Sequence, residues 1–174
     1  MAFDNASRRL VREIDDWVDG NLARLSQLVE TNYVGRPNEL GNYLEAELIE
    51  LIDRECPLEC RRPTTAKGTA QTVGYPDAIV KQKDIILYCE VKTYQEKTKE
   101  TTLRTFYYQP TNQSKIQQDA PHFLIGFQTE SINVNNRSPF KVVDYAIRDV
   151  YNLQVQFKAE FNANNRTLYN LKKP

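Results

Sequence analysis

Apolar residues recur along this chain with two different periods. Between positions 7 and about 29, Leu10, Ile14, Trp17, Val18, Leu22, Leu25, Leu28 and Val29 fall at helical spacing and predict a long amphipathic helix. Gly20 is a place where that helix can kink or split. A second helix is expected after Pro37 and Asn38, the latter a suitable cap, with Leu40, Leu44, Leu48, Leu51 and Ile52 as its stripe. The period then shortens. Residues 85–89, Ile-Ile-Leu-Tyr-Cys, make a nearly continuous apolar run, the mark of a strand buried on both faces. A shorter β-rich run, 78–80, precedes it, and Lys81, Gln82, Lys83 and Asp84 can turn the chain back between the two. A helix is expected from Thr111 or Asn112 to Asp119, and residues 123–127 read as another buried strand. Val143, Ile147 and Val150 share one face of an expected helix over 142–150. Leu153, Val155, Phe157, Ala159 and Phe161 alternate with polar residues as on a half-exposed strand; a turn at 162–165 leads into a last strand over 166–171. These elements predict an α/β (α+β) chain.

With 174 residues, 26% charged and 40% hydrophobic, the chain has the size and composition of one globular domain. We divide it into a helical arm (1–36), a core (37–130) and a C-terminal helix with hairpin (131–174). No run approaches the ~20 apolar residues of a membrane span, and no secretory signal is visible, so a cytoplasmic location is expected. Cys56, Cys60 and Cys89 are an odd number, which argues against a disulfide framework. With His122 as the single histidine and Cys89 in the core strand, a four-ligand zinc site is not expected. His122 opens an apolar strand and is given a structural role.

Net charge is zero but unevenly spread. Residues 1–60 hold 6 basic and 13 acidic side chains, 61–115 hold 10 and 5, and 116–174 hold 7 and 5. The positive middle segment contains the polar residues that interrupt the apolar pattern. Asp77 opens one strand; Glu90 and Lys92 end the next. Residues two apart on a strand share a face, so Glu90 and Lys92 project together while Cys89 and Val91 face the other way. The expected turn lets Asp77 lie beside Glu90. Two carboxylates and an ammonium on one surface suit a hard divalent cation and an attacking water. The plain alternative is a surface ion pair between Glu90 and Lys92, which contributes little. It fits poorly at the end of a run buried on both faces, where such charges need a partner or an ion. On the second helix, Glu45 falls inside the widened apolar stripe, Glu47 lies at its other edge and Glu50 points away. An acid on a buried helix face needs a partner; Glu45 is the choice and Glu47 the second.

The sequence Pro76-Asp77, a spacer, then Glu90-Val91-Lys92, resembles the PD-(D/E)xK nuclease superfamily, most closely a small type II restriction endonuclease. The resemblance covers about 41–127. It implies a restriction-endonuclease-like core, a central mixed β-sheet flanked by helices. It also implies Mg²⁺-dependent hydrolysis of DNA phosphodiester bonds, with Mn²⁺ able to substitute. Asp77, Glu90 and the Val91 carbonyl would bind metal, Glu45 would assist directly or through water, and Lys92 would position the water. A chain with one site must pair to cut both strands, which implies a homodimer on double-stranded DNA.

Basic and amide side chains nearby are candidates for DNA contact. The 61–69 segment offers Arg61, Arg62 and Lys67 to phosphates. The stretch after Lys92 offers Lys97, Lys99, Arg104, Tyr107, Gln109, Asn112, Gln113 and Lys115, with Arg, Asn and Gln able to read base edges. In related nucleases a helix after the E-x-K strand carries a Gln or Lys near the site, which points to Gln113 and Lys115. The alternatives are a repair nuclease or Holliday-junction resolvase of the same superfamily, and a non-catalytic DNA-binding module that keeps the fold.

Overall fold

The structure, a computed structural model, describes residues 1–70, 74–101, 113–132 and 140–155. The first stripe becomes helix α1, Asn5–Asn32. Its start is capped by Asp4, whose carboxylate accepts the Ser7 N–H at 2.7 Å. The helix passes through Gly20 without a break. Glycine there costs ~0.5–1 kcal/mol relative to alanine, which burial of Ile14, Val18, Leu25 and Val29 outweighs. A 3₁₀ turn at Pro37–Glu39 leads into α2, Leu40–Glu55, which buries Leu40, Leu44, Glu45, Leu48, Leu51 and Ile52.

Five strands follow: β1 Glu59–Arg61, β2 Ala78–Gln82, β3 Ile85–Tyr94, β4 His122–Ser131 and β5 Phe140–Asp149. They form one sheet in chain order, antiparallel except where β3 runs parallel to β4. The sheet is therefore mixed and flanked by helices, as expected. Lys83, at φ 55°, occupies the left-handed region in the turn between β2 and β3.

The helices cover one face of the sheet. Leu87, Cys89, Val91, Phe123, Ile125 and Phe127 join the buried side chains of α1 and α2 in a single core. The stripe of α1 is thus spent on packing within the chain. Ser26 Oγ accepts the Val142 N–H at 3.1 Å, and Tyr145 O–H donates to Asp15 Oδ1 at 2.7 Å, which seats α1 on β5. Asp53 accepts the Cys60 N–H at 2.8 Å, joining α2 to β1. Among the described residues no helix is long and apolar enough to cross a membrane.

Three sequence expectations are corrected. Residues 142–149 form strand rather than helix, and Val150 lies beyond its end. The cause is a β-bulge: the β4–β5 register shifts between Gln128 and Thr129, so the core-facing residues run Phe140, Val142, then Tyr145 and Ile147. The bulge skips Val143, so the apolar residues of this stretch do not keep a strict two-residue period. Residues 113–119 are not helical either. Their polar groups bond sideways: Ala66 N–H donates to the Ser114 carbonyl at 3.2 Å, and Gln117 Nε2 donates to the Thr64 carbonyl at 2.9 Å. Residues 153–155 are exposed and outside any strand. The remainder of that expected strand and the terminal hairpin lie outside the described residues.

Candidate active site

Pairing of β2 with β3 builds the site. Asp77 N–H donates to the Cys89 carbonyl at 3.1 Å, one step beyond the Ala78–Cys89 register pair. This fixes Asp77 opposite Glu90. One Asp77 oxygen, Oδ2, accepts the Val91 N–H at 2.8 Å. Glu90 is only 4% exposed, while its neighbours Cys89 and Val91 enter the helix-covered core. The Lys92 ammonium donates to Glu90 Oε1 and, at 3.2 Å, to the Val91 carbonyl; it stands 3.9 Å from Asp77 Oδ2.

The α2 acid completes the cluster. Glu45 is 5% exposed and faces Asp77, Lys92, Lys115 and Arg62. Glu47 instead lies against Tyr43, away from the cluster. Arg62 Nη1 stands 2.5 Å from Glu45 Oε1. The contact is a close ion pair on a carboxylate that is otherwise buried.

Burial and like charge act together on these acids. Glu45 is pushed up to about 7, first by burial and then by Asp77, against the pull of Arg62, Lys115 and Lys92. Glu90 is also pushed up to about 7, again by burial and then Asp77, with Lys92 opposing. Among the described residues the second oxygen of Glu90, Oε2, is buried with no donor. An acceptor left in this state costs free energy unless a cation or proton reaches it.

That orphaned oxygen, Asp77 and the Val91 carbonyl are hard oxygen donors of the kind Mg²⁺ and Mn²⁺ prefer, so the residues fit a divalent ion. Among the described residues, no three of His, Cys, Asp and Glu converge on one point in ligating arrangement. The ammonium of Lys92 and the guanidinium of Arg62 stand against the acids instead.

Lys115 is the correction among the DNA-contact candidates. It is 5% exposed rather than on a solvated face, and donates to the carbonyls of Gly74 at 2.5 Å and Pro76 at 3.1 Å. Its ammonium therefore braces the backbone leading into Asp77. Burial lowers its proton affinity; Asp77, Glu45 and Glu90 oppose that. Lys67, Lys97 and Lys99 are exposed, as is Arg61, which pairs with Glu59. Gln113 is half-buried. Arg104, Tyr107, Gln109 and Asn112 lie outside the described residues.

An aromatic group beside the site escaped the sequence reading. Tyr75 O–H and His122 Nδ1 are 2.5 Å apart with their rings stacked, and Tyr88 packs against the same imidazole. Burial lowers His122 to about 4, so the ring is neutral near pH 7. The available signal was periodic: Tyr88 lies two residues before Glu90 and so shares its face.

Residues 1–173 match the model of the type II restriction enzyme MjaV family. A relative named type II restriction enzyme MjaV, from Methanocaldococcus jannaschii, is 33% identical over 143 residues, which span 77% of this chain and 60% of the relative. No solved structure matches the chain. A match running from the first helix through the acidic hairpin to the penultimate residue places the chain in the type II restriction enzyme MjaV family.

Proposed function

We propose that this chain is a cytoplasmic, Mg²⁺-dependent endonuclease that cuts double-stranded DNA at a specific site, acting as a homodimer, with Mn²⁺ able to replace Mg²⁺. The observation that carries the reading is the buried pair Asp77 and Glu90, with Glu90 Oε2 lacking a donor among the described residues and Lys92 at its side. The family membership and the name of its relative support site-specific restriction over the other activities of such folds.

Asp77, Glu90 and the Val91 carbonyl would hold the divalent ion, with Glu45 assisting directly or through water. The ion, when bound, supplies a water of lowered pKa and neutralises charge on the scissile phosphate. Lys92 orients that water and offsets the negative charge that develops during attack. Lys115 holds the Gly74 and Pro76 carbonyls and thereby the approach of Asp77. Exposed Lys67, Lys97 and Lys99 would draw in the phosphate backbone. The test is incubation of the purified protein with plasmid and Mg²⁺. Discrete fragments are expected. Plasmid left unchanged in both Mg²⁺ and Mn²⁺ contradicts the proposal, and a smear contradicts its site specificity.

A further inference from the structure

We propose that Arg62 couples metal binding to DNA binding: it is the counter-ion of Glu45 in the metal-free protein, and it turns to a DNA phosphate when a divalent cation enters. The inference rests on the metal-dependent reading above and adds a residue that links its two ligands.

Charge balance motivates it. Glu45, Asp77 and Glu90 are faced by three cations, Arg62, Lys92 and Lys115. The metal-free cluster is therefore neutral when all six groups are charged. A divalent cation adds two positive charges to a poorly solvated site, where repulsion between cations is strong. Once the acids are ionised, the entering ion leaves the cluster two charges positive, and outward movement of one resident cation halves that excess.

The contacts indicate which. Lys115 is 5% exposed and bonded to two backbone carbonyls. Lys92 is bonded to Glu90 and to the Val91 carbonyl, and is tied to the strand that carries the acid. Arg62 has the most exposed side chain of the three with an ion pair, at 34% against 29% for Lys92. Among the described residues its ion pair is with Glu45 alone. It follows β1 directly and precedes the buried Pro63, so its backbone is held while its side chain can swing. A guanidinium binds a phosphate with two parallel hydrogen bonds, so its outward position has a partner once DNA is present. Glu45, relieved of Arg62, becomes available to the ion. The two ligands then favour each other, and the coupling is reciprocal.

The experiment measures two affinities. Ca²⁺ alone is titrated calorimetrically into wild type, Arg62→Gln and Arg62→Lys. A fluorescent mixed-sequence DNA duplex is then titrated with each protein in EDTA and in Ca²⁺. Arg62→Gln is expected to bind Ca²⁺ more tightly without DNA, because no guanidinium competes for Glu45. It should also lose most of the gain in DNA affinity that Ca²⁺ confers on wild type, a coupling of roughly tenfold. Arg62→Lys, which keeps the charge, should restore part of that gain. The inference is overturned if Arg62→Gln binds Ca²⁺ no more tightly, or if its loss of DNA affinity is equal in EDTA and Ca²⁺. Wild type that neither binds Ca²⁺ nor gains DNA affinity from it would instead defeat the metal-dependent reading, and the coupling with it.

Discussion

Asp77 and Glu90 have side chains 12% and 5% exposed, and Asp77 raises the cost of charge on Glu90. Removing one carboxylate should therefore leave the fold intact while destroying the ion's seat. Asp77→Ala or Glu90→Ala is expected to abolish cleavage with the fold retained, Asp77→Ala at the loss of the Val91 N–H bond; activity within about tenfold of wild type would defeat the assignment. Lys92 tests a different point. Its bonds to Glu90 and the Val91 carbonyl would also be made by a purely structural ion pair. A catalytic lysine predicts a fall of several orders of magnitude in single-turnover rate for both Lys92→Ala and Lys92→Arg, with little change in melting temperature. Arginine keeps the charge but neither the shape nor the ability to release a proton. Near-normal rates in both variants would remove Lys92 from the chemistry. Glu90 and Lys92 were legible in the sequence because strand alternation alone puts them on one face. Lys115 was half legible. Its nearness to the site was foreseen from the resemblance, but its burial depends on carbonyls some forty residues earlier, which no local pattern encodes.

At the scale of elements, the two helices make separable predictions. Gly20 has open space where a side chain would begin, in the middle of an unbroken helix. Gly20→Ala is expected to stabilise the protein by ~0.5–1 kcal/mol, read as a higher melting temperature with cleavage unchanged. A drop in stability would mean that this face of α1 is not free. On α2, Glu45→Gln should impair cleavage while Glu47→Gln, directed at Tyr43, should leave it near normal. The reverse result would exchange their roles. Both helices and the β2–β3 hairpin were readable because their apolar periods are regular and their buried faces continuous. The β5 strand was not, because a bulge is a property of two paired strands and leaves only a broken rhythm in one of them. The 113–119 segment failed for a related reason: its side chains and backbone bond to the 64–66 loop and to Tyr88 rather than along their own axis.

For the molecule as a whole, the acidic cluster links stability to pH and to metal. Glu45 and Glu90 are held near 7 in the folded chain, above the ordinary value of 4.5. The folded state thus keeps protons that the unfolded state has released. Their contribution is complete below the ordinary carboxylate range and is lost as pH rises through about 7. The metal-free protein is expected to melt at a lower temperature at about pH 8.5 than at about pH 6.5. Ca²⁺ requires the ionised acids, so the increment it adds should be larger at the higher pH. Equal increments at both pH values would disconnect the cluster from the ion. His122 does not confuse the comparison. Its folded value near 4 removes stability only as pH falls below the ordinary histidine value of 6.5.

The burial of the three thiols gives the molecule its own set of clocks. Cys56 is half-buried at the end of α2, Cys60 is 4% exposed on the edge strand β1, and Cys89 is 3% exposed in the central strand behind Glu90. Burial holds Cys60 up to about 12 and pushes Cys89 well above the ordinary thiol value, so neither reacts while the sheet is closed. A thiol reagent should therefore modify Cys56 first, Cys60 when the edge strand frays, and Cys89 only on global opening. Timed labelling with mass detection would read three depths of the fold in one sample. Cys89 labelling that slows on addition of Ca²⁺ would report, from the far face of the same strand, that the acids have closed on an ion.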